Sequence, residues 1–234
     1  MREVCFFTTY DERAKEMGQG MANSVKKFYP DIPMEVTVIG TKDKGGHFDL
    51  MNFCYSYLKK GLELLDQYQR IIHIDPDSVM CNLCPDLFGD YELGVVKNNV
   101  PCGPEYGGMA KDVYVNAGLT VCTSKEVWRD RINEFSKRNN TRWETLNEQN
   151  ALNYIYHTTS HKTKLLEFDD RTYGISSLDF YKDMFLRDNE LYLPNNKKVC
   201  VFHAAGVYWK TNNKINFDFI ENEEARERII SYTL

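Results

Sequence analysis

The chain has 234 residues, 42% of them hydrophobic, with 29 basic and 34 acidic side chains and a formal net charge of −5. That is enough to bury a full core, and it suits a single large α/β domain better than two small ones. Lysines and arginines lie scattered among acids, which leaves no electrostatic footprint for nucleic acid, and no apolar run reaches the ~18 residues of a bilayer-spanning helix. Met1 to Thr8 carries one basic residue and an apolar stretch far too short for a secretory leader, so it is read as a first strand and as the start of the mature chain. Seven cysteines are an odd number, and Cys5, Cys122 and Cys200 fall in apolar runs where thiols act as small hydrophobes. The expectation is a reduced, cytoplasmic chain. Cys81 and Cys84 have CxxC spacing, but no second ligand pair accompanies them, which argues against structural zinc.

In chain order, Val4 to Thr9 reads as a strand. From Asp11 to Phe28, Ala14, Met17, Met21, Val25 and Phe28 recur at three and four, one face of a helix. Pro30 and Pro33 end it, and Met34 to Ile39 is a second strand. After the polar loop Thr41 to Gly46 comes a wide apolar stripe from Leu50 to Leu65, with Asp49 as its N-cap. A third strand ends at Ile74, completing a βαβαβ unit whose crossovers lay helices over a parallel sheet. Leu93 to Lys97 is another strand. The stretch Asn98 to Asp112 is rich in glycine and proline, and a loop that long in a compact domain is usually functional. Val113 to Cys122 is strand-like around Asn116-Ala117-Gly118, a sequence that also suits a bulge. Capping boxes at Thr123/Glu126 and Thr145/Glu148 open two helices. Lys164 to Phe168 and Val199 to His203 are late strands, and a charged helix follows Phe219. No linker or internal repeat divides the chain.

The most informative segment is Arg70 to Val79, an apolar run ending on Asp75-Pro76-Asp77. A β-branched run this short is a strand buried on both faces, and open α/β sheets bind ligands at the carboxyl ends of their strands. Asp-Pro-Asp is also an ordinary turn sequence. Carboxylates two apart can converge on one hard divalent cation, which usually keeps phosphate oxygens as further ligands. The implied ligand is a metal-bound diphosphate.

Four segments, in order over about residues 4 to 210, resemble the GT-A sugar-nucleotide transferases, most closely the glycogenin-like family 8 group. Phe6-Phe7-Thr8-Thr9-Tyr10-Asp11 resembles their opening strand and nucleotide loop, and Asp75-Pro76-Asp77 their DxD motif. Tyr114 to Leu119 is similar to their asparagine-small-glycine strand, and Asn147 to Asn153 to the start of their acid-glutamine helix. Val201 to Gly206 looks like their closing His-x-x-Gly. The resemblance implies a Rossmann-like single GT-A domain with a mainly parallel sheet, residues 1–97 forming a nucleotide-binding half and 98–234 an acceptor-side half. It implies a glycosyltransferase that uses Mn²⁺ or Mg²⁺ and moves a sugar from a nucleotide-diphosphate donor, UDP-sugar by preference, to a carbohydrate hydroxyl, with retention of configuration.

Carried over residue by residue, the resemblance makes Asp75, Asp77 and His203 the metal ligands. Thr8, Thr9 and Tyr10 hold the nucleoside, Asn116 faces the donor sugar, and Gly206 lets backbone approach phosphate. Glu148 and Gln149 line the sugar and stabilise charge at its anomeric carbon. Lys210 stands one place later than glycogenin's lysine. Leu50-Met51-Asn52 lacks the early lysine of the helix before the DxD, and glutamate replaces the usual aspartate at 148. His47, His73, His157 and His161 are read as surface or packing residues, and Trp128 and Trp143 as packing. Tyr173, Tyr181 and Phe185, in the acceptor-side region, are either sugar platforms or core. Three other readings stay open: an inverting transferase, a sugar nucleotidyltransferase, and a nucleotide-sugar-binding module without turnover.

Overall fold

The structure, a computed structural model, describes residues 2–40, 50–98, 113–137, 147–174, 181–204, 210–211 and 214–234, with backbone alone at 50, 51, 147, 210, 211 and 214. β1 (Arg2–Tyr10) is the central strand of the first half. Cys5 and Phe7 pack into one core and Phe6 into another, all fully buried, and two-sided burial explains why the run reads as continuously apolar. Asp11 then caps a 3₁₀ turn (Glu12–Ala14), its carboxylate accepting from the amides of Arg13 and Ala14 at 3.0 and 3.2 Å. α1 (Lys15–Phe28) follows and buries Met17, Met21 and Val25. β2 (Met34–Val38) pairs parallel with β1. α2 (Leu50–Leu65) crosses back, and β3 (Tyr68–Ile74) pairs parallel with the other edge of β1.

Two further strands, β5 (Leu93–Lys97) and β6 (Val115–Cys122), extend the sheet, followed by α3 (Lys125–Lys137), α4 (Asn147–Thr158) and β7 (Thr163–Leu165). The order is β2-β1-β3-β6-β5-β7, with β6 antiparallel to both neighbours and every other pairing parallel. α2, α3 and α4 cover one face, where Tyr57, Leu58, Trp128, Phe135, Leu152 and Ile155 pack on Cys5, Phe7 and Ile71. α1 covers the other face beside Phe6, Ile72 and Val121.

A second sheet adjoins that face. It contains β4 (Ser78–Met80), β8 (Arg171–Tyr173), β9 (Phe185–Arg187), β10 (Glu190–Tyr192) and β11 (Lys198–His203), in the order β4-β11-β10-β9 with β8 also on β11. Met80, Cys200 and Val201 face the first sheet, whereas Val79, Val199 and Phe202 face a third core closed by Ala225, Ile229 and Tyr232 of α5 (Glu223–Thr233). β12 (Lys210–Thr211) and β13 (Lys214–Ile215) form a small ribbon.

The βαβαβ reading of residues 2–74 holds, as does the single mainly parallel α/β architecture. The cap of α3 differs by one residue. Thr123 is still tied to the sheet, its amide donating to Glu92 and its hydroxyl to Tyr91, so the helix starts later and Ser124 accepts from the amide of Val127 at 3.3 Å. Tyr173 and Tyr181 are fully buried, which settles them as core side chains and removes them as sugar platforms. Thr145, Asp49, His47, Trp143, Cys102, the loop 41–46 and residues 99–112 lie outside the described residues. The other six cysteines are free and buried, consistent with the reading of Cys5, Cys122 and Cys200 as small hydrophobes.

Candidate metal centre

The Asp-Pro-Asp segment is the point where the chain leaves one sheet and enters the other. β3 ends at Ile74, and the amide of Ser78 donates back to the Asp75 carbonyl at 3.1 Å, closing a turn that starts β4. The turn reading and the site reading therefore describe the same four residues. β4 pairs antiparallel with β11, with Ser78 opposite His203, and the amide of Ala204 donates to the Asp77 carbonyl at 2.9 Å. This pairing brings residue 203 to residues 75 and 77 across more than a hundred positions of sequence.

Nε2 of His203 lies 3.6 Å from Oδ2 of Asp75 and 3.4 Å from Oδ1 of Asp77. One ligand atom from each of the three residues falls within 4.8 Å of the others. A divalent cation with bonds of about 2.1 Å holds cis ligands about 3 Å apart and trans ligands about 4.2 Å apart, so this set fits such an ion with a small contraction. The side chains of Asp77 and His203 are 10% and 8% exposed and that of Asp75 is 36% exposed, leaving one open side for further ligands. Burial works to lower the His203 pKa, but the carboxylates of Asp77 and Asp75 outweigh it and raise it to about 10.

β6 supplies the wall of this centre. Val95 of β5 pairs with Thr120 and Val96 with Asn116, so Ala117, Gly118 and Leu119 bulge out of that ladder. Asn116 Oδ1 accepts from the Gly118 amide at 2.7 Å, and the Gly118 carbonyl accepts from the Asp75 amide at 2.8 Å. A Cβ on Gly118 would stand 2.2 Å from Cε1 of His203, so the imidazole occupies space only glycine leaves. The Ala117 amide donates to Oε1 of Gln149 at 3.2 Å, which places the start of α4 against the bulge.

Three buried side chains beside the centre carry no part in the sequence reading of the site. His73, in β3, puts Nε2 3.8 Å from Oδ1 of Asp75, and burial lowers its pKa to about 4. Its ring is 4.4 Å from that of Tyr57, whose hydroxyl donates to Oε1 of Glu148 at 3.2 Å. The same oxygen accepts from Nη2 of Arg131, a residue 1% exposed whose pKa burial lowers. The available signal for Arg131 is a basic residue on the helical stripe formed by Val127, Trp128 and Phe135. His73 is thus a packing residue, but one against a carboxylate of the candidate metal cluster.

Thr8, Thr9 and Tyr10 lie at the carboxyl end of β1. The last paired positions, Phe7 with His73, put them alongside Ile74 and Asp75. All three are buried, the Thr8 hydroxyl has no partner among the described residues, and the Tyr10 ring lies against Gly18 of α1. Gly206 is outside the described residues, and Lys210 is described by its backbone at the start of β12. Cys81 and Cys84 lie in the core, with burial raising both thiol pKa values, and they join no metal cluster among the described residues.

No family model matches the sequence and no curated protein matches it. Solved structures do. The galactosyltransferase LgtC, in complex with donor and acceptor sugar analogues, superposes with a TM-score of 0.59 at 16% identity, over 98% of this chain and 95% of that one. A glycosyltransferase involved in glycosylation of the major capsid of PBCV-1 gives 0.56 at 11%, over 96% and 98%. The bifunctional glycosyltransferase WbbM gives 0.59 at 14%, over 99% of this chain and 52% of that one. The fold is that of the GT-A glycosyltransferases.

Proposed function

We propose that the protein is a glycosyltransferase that moves a sugar from a nucleoside diphosphate donor, a UDP-sugar by preference, to an acceptor hydroxyl with retention of configuration. The observation that carries this reading is the convergence of Asp75, Asp77 and His203 at the carboxyl edge of a GT-A sheet. These three residues would hold Mn²⁺ or Mg²⁺, the imidazole favouring Mn²⁺. A bound divalent cation supplies charge neutralisation at the departing diphosphate. Thr8, Thr9 and Tyr10 form the floor for the nucleoside, and Asn116 and Gln149, both fixed by the β6 bulge, line the donor sugar beside Glu148. The Glu148 carboxylate and the Gln149 amide oxygen stabilise positive charge developing at the anomeric carbon. Gly206 and Lys210 are assigned to the diphosphate by the sequence resemblance. Residues 1–97 form the nucleotide-binding half and 98–234 the acceptor-side half, which also lends His203, Asn116, Glu148 and Gln149 to the donor site.

A cytoplasmic, reducing setting belongs to the same reading and is supported by six unpaired buried cysteines. No helix among the described residues is long and apolar enough to cross a membrane.

The experiment is release of UDP from a panel of nucleotide sugars, with and without Mn²⁺. The expected outcome is metal-dependent release that Asp77→Asn abolishes while the fold is kept. Full activity in excess EDTA overturns the reading, and pyrophosphate release from UTP with a sugar 1-phosphate, in the absence of UDP release from any nucleotide sugar, points to a nucleotidyltransferase. NMR of the product should show the anomeric configuration of the donor, and the opposite configuration identifies an inverting enzyme.

A further inference from the structure

Glu148 is not a surface acid. Its side chain is 12% exposed, and its partner Arg131 is 1% exposed. Arg131 Nη2 and the Tyr57 hydroxyl both donate to Oε1, leaving Oε2 out of the pairing. The guanidinium is clamped between rings, its carbon 4.8 Å from the centre of Trp128 and 5.4 Å from that of Tyr57. Trp128 is itself fixed by a 2.6 Å hydrogen bond to the Leu58 carbonyl. From Tyr57 the packing runs on through His73 to Asp75. A line of buried groups therefore ties the carboxylate at the head of α4 to the metal centre at the end of β3.

Stability alone is a poor account of this arrangement. A buried ion pair is often no more stabilising than apolar side chains of the same volume. Here Nε and Nη1 of Arg131 are also buried without hydrogen-bond partners among the described residues, a cost that native cores rarely carry without a reason. What the pair does accomplish is to specify where one carboxylate stands. We propose that Arg131 is a positioning residue, holding Glu148 by Oε1 at a fixed place relative to Asp75 so that Oε2 meets the donor sugar. This rests on the transferase reading above.

The test is a double-mutant cycle on the full chain with Mn²⁺ and the donor found by the UDP-release screen. Arg131→Met keeps the apolar stem and removes the charge. It is expected to melt cooperatively and to bind UDP and Mn²⁺ within about threefold of the parent, but to lose roughly 100-fold in kcat, the scale of a misplaced catalytic group. Arg131→Lys, which restores charge without the planar fork, should recover part of that loss. Because no carboxylate remains to be placed, Arg131→Met combined with Glu148→Gln should be no slower than Glu148→Gln alone. An unchanged kcat per UDP-binding site in Arg131→Met overturns the proposal, as do losses that multiply. Should Arg131→Met fail to fold, Arg131→Lys, alone and combined with Glu148→Gln, is judged by the same two readouts. A parent protein that releases no UDP from any nucleotide sugar removes the transferase reading and this proposal with it. An active parent with a fully active Arg131→Met removes this proposal alone.

Discussion

Gly118 shows how little room the centre leaves. An added methyl would stand 2.2 Å from Cε1 of His203 and 2.8 Å from Asn116 Oδ1, so Gly118→Ala must displace the imidazole or the bulge. Overpacking of this kind costs about 1–3 kcal/mol, and the displaced ligand should weaken metal binding more than the fold suffers. The expected result is a modest drop in melting temperature with a loss of Mn²⁺ affinity exceeding tenfold, which at about 1.4 kcal/mol per decade is read by calorimetry on the purified protein. Unchanged affinity would show that His203 is not a ligand. At this scale the three clustered residues were legible because Asp75, Asp77 and His203 sit in short motifs at the ends of apolar runs. Arg131, Tyr57 and His73 were not, because each is an ordinary member of an apolar element until α2, α3 and β3 are packed together. A side chain that acts through residues 17 or 91 positions away has no local signature.

Elements sorted themselves by length. α1 and α2, at 14 and 16 residues, carry enough turns for the 3.6-residue period to show, and β1 and β3 carry runs buried on both faces. β4, β8, β9 and β10 have three residues each, too few for any period, and they owe their existence to pairing with β11 and with one another. The β9–β10 hairpin is still rationalised by its turn, since Asp188 and Asn189 take φ of 52° and 64°, the left-handed conformation those residues tolerate and two-residue hairpins need. The second sheet is pinned by Asp86, which accepts from Nε of Arg171 at 2.7 Å and from the Tyr173 hydroxyl. Burial pulls the Asp86 carboxyl up, yet these hydrogen bonds outweigh it and hold its pKa below the ordinary value. A depressed folded pKa contributes stability that is present above the unfolded carboxylate range and is lost as pH falls through the folded value. Asp86→Asn should therefore melt lower at neutral pH, by roughly 1–3 kcal/mol for charged hydrogen bonds. It should also lose less further stability than the parent when acidified below about pH 4. Parallel acid limbs in the two melting series would show that Asp86 gains nothing from its partners.

Across the whole molecule, the candidate metal centre is built from the seam between two sheets, with Asp75 from the end of the first, Asp77 from the turn and His203 from the second. A ligand set drawn from both sides of a seam exists only in the folded chain, so a cation and a diphosphate bound there must stabilise the native state against the unfolded one. At a hundred times its dissociation constant a ligand contributes about 2.7 kcal/mol, and a chain of this size gains about 2–4 °C per kcal/mol. UDP with Mn²⁺ should then raise the melting temperature by about 5–11 °C. Neither component alone should do as much, since under the proposed function the diphosphate oxygens would complete the coordination that the three side chains would begin. In Asp77→Asn the shift should collapse, because the variant removes a ligand and the carboxylate nearest His203 together. Differential scanning fluorimetry over a series of nucleoside diphosphates, with and without EDTA, makes the measurement. The absence of a shift with every nucleotide would mean that this seam, for all its carboxylates, does not bind a donor.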